Sequence, residues 1–246
     1  MNLRLLWLGF AAFLLAVIVV LPAKWMAWTL PAQVQCASWT GSVWRGQCSG
    51  LTIQQAGTPL EIQRLQWKLH PLSLLRLAVK ADFNLRTAQG TVSGVAELGR
   101  RQRLAVEGLT ANALFDRRLA TMLAEGWNGQ LEAKAVALSL QGDTLRALSG
   151  ELLLRDFKDA RGAPFGSYRL AFAPADAPPF TGTITDSGGP LAVAGTVTIS
   201  ADRRWELDVL ITPRPDASQE LRSRLQFIAA PDASGRHRFQ SEGTFR

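Results

Sequence analysis

The feature that most constrains the fold is a period-two alternation of apolar and polar residues that returns along most of the chain with little room between copies. It is plainest in Leu60–Leu69 (LEIQRLQWKL), Ala78–Leu85 (AVKADFNL) and Gln130–Leu140 (QLEAKAVALSL). Successive strand side chains point to opposite faces, so each segment presents one apolar face and one polar face. The same pattern predicts strands over Gly90–Leu98, Arg103–Leu109, Ser149–Phe157, Ser167–Ala173, Pro179–Thr185, Leu191–Ser200, Trp205–Ile211 and Arg236–Gly243. Turn signals separate many of them: Gln141-Gly142-Asp143, Ser187-Gly188-Gly189-Pro190 and Ala201-Asp202-Arg203. Parallel strands would need crossover helices, and most gaps are too short, so the expected fold is mainly β: a curved, largely antiparallel sheet in meander order.

Two packing helices are expected beside this sheet. Asn112 caps a stretch in which Phe115, Leu119, Met122 and Leu123 recur at helical spacing, with Gly126 as its stop. Asp216 and Gln219 form a capping box ahead of Leu221, Leu225 and Ile228, and Pro231 ends that helix.

The chain begins differently. Leu5–Leu21 (LLWLGFAAFLLAVIVVL) has no charged residue over 17 positions, and as a helix it would span about 26 Å. That approaches the ~30 Å hydrocarbon core of a bilayer. Arg4 precedes it; Pro22, Lys24, Trp25 and Trp28 follow, with indoles suited to the headgroup level. A cleaved signal peptide would have a shorter apolar region and a small-x-small site. Leu21-Pro22-Ala23 and Leu30-Pro31-Ala32 both place leucine where a small residue belongs, so an uncleaved single-pass anchor is expected. The expected organisation is an anchor over residues 1–28 and a β-rich domain over 29–246.

Only two cysteines are present, Cys36 and Cys48. A hairpin folded about residue 42, with Thr40-Gly41-Ser42 as its turn, would place Cys36 directly across from Cys48. A disulfide there suits an oxidising compartment such as the bacterial periplasm; two buried free thiols are the alternative. A metal site would need further ligands, and the chain has just two histidines, His70 and His237.

A weak repeat spans the chain: Trp44-Arg45-Gly46-Gln47 returns as Trp127-Asn128-Gly129-Gln130, each copy followed by an alternating strand. It suggests two β halves, near 33–110 and 127–246, each opened by a Trp-Gly corner (Trp44 with Gly46, Trp127 with Gly129); chance similarity is the rival reading.

Catalytic signals are missing. His70 precedes a proline and His237 lies between two arginines, neither a neighbourhood typical of a buried, oriented base. The Ser187–Pro190 stretch lacks the lysine and helix of a phosphate loop. Asp156, Asp159, Asp202 and Asp208 read as solvated edge or turn carboxylates rather than catalytic pairs. The net charge of +7 is spread along the chain, with no like-charge run suited to nucleic acid. No catalytic residue, metal or cofactor is assigned. Trp39, Trp44, Trp67 and Trp127 could line a groove, but aromatics on alternating strands are commonly core.

Several blocks in order resemble protein N of the bacterial type II (general) secretion pathway. They are the apolar segment with Leu-Pro-Ala, then Thr40-Gly41-Ser42-Val43-Trp44-Arg45-Gly46, then Leu65-Gln66-Trp67-Lys68-Leu69-His70-Pro71 with Leu74-Leu75. Gly195–Arg203, the Trp205 strand ending at Thr212-Pro213-Arg214, and Pro231–Arg236 continue the likeness. The resemblance implies a single-pass inner-membrane protein with its bulk in the periplasm. Its expected role is a non-enzymatic accessory in the export of folded proteins, with the inner-membrane platform and outer-membrane secretin as partners. AsmA-like envelope proteins carry similar Trp-Gly corners, so a periplasmic lipid-binding or lipid-transfer module is the alternative function.

Overall fold

The computed structural model describes residues 17, 20–28, 30–54, 60–100, 103–115, 126–142, 144–228 and 230–244. Among the described residues thirteen strands follow one another in chain order in one sheet: β1 (Val34–Gly41), β2 (Arg45–Ile53), β3 (Leu60–Leu69), β4 (Val79–Arg86), β5 (Gly90–Gly99), β6 (Arg103–Phe115), β7 (Asn128–Gln141), β8 (Thr144–Lys158), β9 (Pro164–Ala175), β10 (Phe180–Gly188), β11 (Leu191–Ile199), β12 (Arg204–Pro213) and β13 (His237–Thr244). The pairings with a described register are all antiparallel, which is the meander that alternation and short turns demand. Backbone contacts divide the chain into Met1–Glu97 and Leu98–Arg246.

In the first unit the core is Ala23, Cys48, Leu51, Ile62 and Trp67, with Met26, Val34, Trp39, Leu65 and Leu85 packed around it. Ala23 belongs to a 3-10 turn, Ala23–Trp28, and is the only one of its six residues that is buried. A second 3-10 turn, Pro71–Arg76, joins β3 to β4 and buries none of its residues.

In the second unit Phe165, Leu191, Val193 and Val209 form an apolar face on β9, β11 and β12, and α1 (Gln219–Ile228) covers it with Leu221 and Leu225. Leu221 and Leu225 face the core as the amphipathic spacing predicts, but the cap lies two residues later: Ser218 Oγ accepts the Leu221 N–H at 3.2 Å, the N-cap to N3 bond expected of Asp216.

The other expected helix does not begin at Asn112. Residues 112–115 continue β6 and pair with Gly129–Glu132 of β7. Four residues cannot reveal whether an apolar spacing is helical or extended, and here a long cross-strand partner decides it. The rest of that prediction, residues 116–125, lies outside the described residues. So does most of Leu5–Leu21; among the described residues no helix is long and apolar enough to cross a membrane.

Candidate functional site

The end of the first unit is built around the β1–β2 turn. Ser42 N–H donates to Arg45 O at 2.9 Å, and the Ser42 hydroxyl accepts the Arg45 N–H at 3.2 Å. The turn is thus centred between residues 43 and 44, with Gly41 opposite Gly46. This shifts the register from the one expected for a turn at residue 42. Cys36 lies opposite Leu51, and Cys48 opposite Trp39. The two cysteines are nevertheless bonded, diagonally, with 6.1 Å between their Cα atoms. Gly50, between Cys48 and Leu51 on β2, has φ +67°, a left-handed conformation that glycine adopts without a Cβ clash.

Trp67 lies over this turn. Its Nε1 donates to Val43 O at 2.9 Å, its ring packs on Gly46, and Trp39 meets it edge-on at 5.9 Å between centroids. Trp44 is half-buried and its carbonyl accepts the Leu69 N–H at 2.7 Å, tying the start of β2 to the end of β3. The N-terminal segment arrives at the same place: Val43 N–H donates to Leu21 O at 2.9 Å, and Pro22 bridges to Ser42. Trp25 and Trp28 follow, exposed and stacked at 5.5 Å. An open groove of about 430 Å³ beside the turn is lined by Arg45, Gln66, Lys68, Asp82 and neighbours.

His70 is more ordered than its sequence context suggests. Its Nε2 lies 3.0 Å from Asp82 Oδ1, because residues 70 and 82 flank the β3–β4 connection. The imidazole is oriented but about 39% exposed, at a loop rather than in a cleft. His237 is 5% exposed, contrary to the expectation from its flanking arginines. Strand alternation explains this: Arg236 and Arg238 face outward while His237 turns in, opposite Ile211. The two histidines belong to different units.

The second unit repeats the use of aromatics as packing. Trp127 lies 4.7 Å from Phe165 and 5.4 Å from Phe157 between centroids. A Cβ on Gly129 would sit 3.0 Å from Leu154 Cδ1 and 3.1 Å from Arg155 O. Tyr168 donates to Phe165 O at 2.6 Å, and burial pushes its phenol up to about 12.

Asp159 is 3% exposed, not the solvated turn carboxylate expected. Its side chain pairs with Arg224 of α1 and accepts the N–H groups of Arg161 and Ala163 at 2.9 and 2.8 Å. The hydrogen bond from Arg224 holds its carboxyl below the usual range. Asp186 is a second such anchor. Burial opposes its ionisation, but Arg214 and the Val193 N–H hold it low, and Arg214 also donates to Gly189 O. Sequence reading missed both pairs because 65 and 28 residues separate the partners. The Asp159-x-x-Gly162 turn was the available signal.

On the outer face of β11–β13 lies a polar trough of about 500 Å³ lined by Thr196, Thr198, Glu206, Asp208, Gln240 and Glu242. Arg238 forks onto Asp208, with Nε at 2.9 Å, and holds that carboxyl low. β13 is the last strand of the sheet and pairs along one side with β12. A terminal strand beside a hydrogen-bonding trough is suited to receiving an extended partner. Among the described residues no group of three or more His, Cys, Asp or Glu is placed to hold a metal ion.

No curated protein and no solved structure matches this chain. The family model described as type II secretion system (T2SS), protein N, matches residues 32–240. That match runs from the approach to β1 into β13 and takes in Trp44, Gly46, Trp127 and Gly129, the disulfide and both ion-paired anchors, so the chain belongs to the protein N family of the type II secretion system.

Proposed function

We propose that this chain is a single-pass inner-membrane accessory of type II secretion, with residues 1–28 as its anchor and residues 29–246 as a periplasmic β-rich domain. It acts without catalysis or a cofactor, by holding a sheet edge where a partner of the export machine can meet it. The observation that carries this reading is the seating of the N-terminal segment on the β1–β2 turn through Leu21 and Pro22. An apolar span joined to a hydrogen-bonded turn, with no slack between, sets the depth of the domain beneath a bilayer. Family membership supports the involvement in secretion, and the Cys36–Cys48 disulfide suits an oxidising periplasm.

The test is photo-crosslinking in cells with an intact secretion machine, from exposed positions Gln240 and Glu242 of β13. Adducts to the inner-membrane platform or the secretin are the expected result. Adducts dominated by phospholipid from the same positions would replace this reading with a lipid-transfer module. The cover that α1 gives the apolar face of β11 and β12 favours the first outcome, since an open lipid trough needs that face bare.

A further inference from the structure

The β3–β4 connection carries four leucines that the fold does not use. Leu72 is 76% exposed, Leu74 44%, Leu75 83% and Leu77 57%, with Arg76 among them. They are not on a slack loop. Ser73 is the inward pin: its hydroxyl donates to His70 O at 2.6 Å and accepts the Lys80 N–H at 3.1 Å. His70 N–H donates to Lys80 O at 2.8 Å, Leu77 N–H to Leu74 O at 2.9 Å, and Ala78 N–H to Ser73 O at 3.2 Å. Leu77 takes a left-handed φ of 55°, uncommon for a leucine. The backbone is therefore closed inward by its hydrogen bonds while the leucines stand outward.

Position decides what they meet. The loop begins two residues past Leu69, whose N–H is bonded to Trp44 O, and Trp44 adjoins Val43, whose N–H is bonded to Leu21 O. The exposed leucines thus lie at the same end of the first unit as the point where the apolar N-terminal segment enters. Exposed basic side chains gather at that end: Lys24 after Pro22, Arg45 and Lys68 opposite one another on β2 and β3, and Arg76 within the loop. Leucines to enter the acyl boundary, with these four cations at the same end for anionic headgroups and Asp82 opposite Lys68 as a nearby carboxylate, suit a bilayer surface.

We infer that Pro71–Leu77 is a second membrane contact, a leucine loop that dips into the periplasmic leaflet beside the anchor and fixes the tilt of the first unit. The inference rests on the anchored reading above for the side on which the bilayer lies. One span alone leaves a domain free to rotate and tilt, whereas two contacts at one end restrict it.

The test uses the full chain reconstituted into phosphatidylethanolamine–phosphatidylglycerol vesicles, with a photo-reactive side chain at Leu75 or, in the β4–β5 turn at the far end of β4, at Ala88. Lipid adducts from position 75 and none from position 88 are the expected result. In the L72E/L74E background, whose substituted side chains are exposed, the adducts from position 75 should be lost. Absence of lipid adducts from position 75, equal labelling from both positions, or adducts in cells that are to protein instead would overturn the inference. Alkaline carbonate extraction reads the anchor separately. A chain that resists extraction but gives no adduct at position 75 overturns the leucine loop alone, and a released chain without adducts overturns both readings.

Discussion

Gly46 and Trp67 face each other across β2 and β3, and the indole occupies the space that a side chain on residue 46 would need. A Cβ there would lie 2.9 Å from Trp67 Cε2 and 2.8 Å from Ser42 O, one a rigid ring and the other backbone. The same relationship recurs in the second unit, where Trp205 faces Gly243 and a Cβ would lie 2.8 Å from Trp205 Cζ2. In each pair a glycine supplies the recess and a cross-strand tryptophan fills it.

Gly46→Ala should therefore overpack the turn and destabilise the first unit by about 2 kcal/mol. Gly99→Ala is the control, since its nearest contact would be an ordinary 3.8 Å. Urea midpoints of the two variants should differ clearly; equal midpoints would show that Trp67 can yield.

The Cys36–Cys48 bond closes a short loop around the turn on which the N-terminal segment is seated. Replacing both cysteines by alanine should cost about 3 kcal/mol. Cys48 is fully buried, so the double variant also loses some packing. Treatment with a reductant should lower the melting temperature of the parent and leave that of the double variant unchanged.

Asp159 joins the β8–β9 turn to α1, and Arg224 lowers its folded pKa below the unfolded carboxyl value of about 3.9. A lowered folded value means that the stabilisation is complete above the unfolded value and disappears as pH falls through the folded one. Asp159→Asn should thus be less stable than the parent at neutral pH, and the gap should narrow as the pH drops below about 4. Denaturant titrations at pH 7 and pH 3 check this; a gap independent of pH would mean the charge contributes nothing.

Trp127 is held between Phe157 and Phe165. Trp127→Ala should cost about 3 kcal/mol by opening that aromatic cluster, and Trp127→Phe should retain most of the stability. Near-ultraviolet dichroism and a melting curve would register both effects.

Much of the sheet is legible in the sequence because alternation is a local property. The Leu60–Leu69 segment and Leu191–Ile199 show their faces without help from any neighbour. Register is different. A turn displaced from residue 42 to between 43 and 44 moved Cys36 from opposite Cys48 to opposite Leu51, and nothing short of the Ser42–Arg45 hydrogen bonds distinguishes the two. Strand ends are equally dependent on partners, as the extension of β6 through Phe115 shows.

The sequence by itself determined the class of fold, the separate character of the first 21 residues and the family likeness, since each is written in spacing or residue type; the diagonal Cys36–Cys48 bond came from the tertiary register. Tertiary structure decided what each polar residue does. It buried His237 and Asp159, oriented His70, paired Asp186 with Arg214 and left the Pro71–Leu77 leucines outside the core. Burial and ion pairing depend on which distant segment lies opposite. The chain brings Asp159 and Arg224 together over 65 residues only once α1 has packed on its sheet.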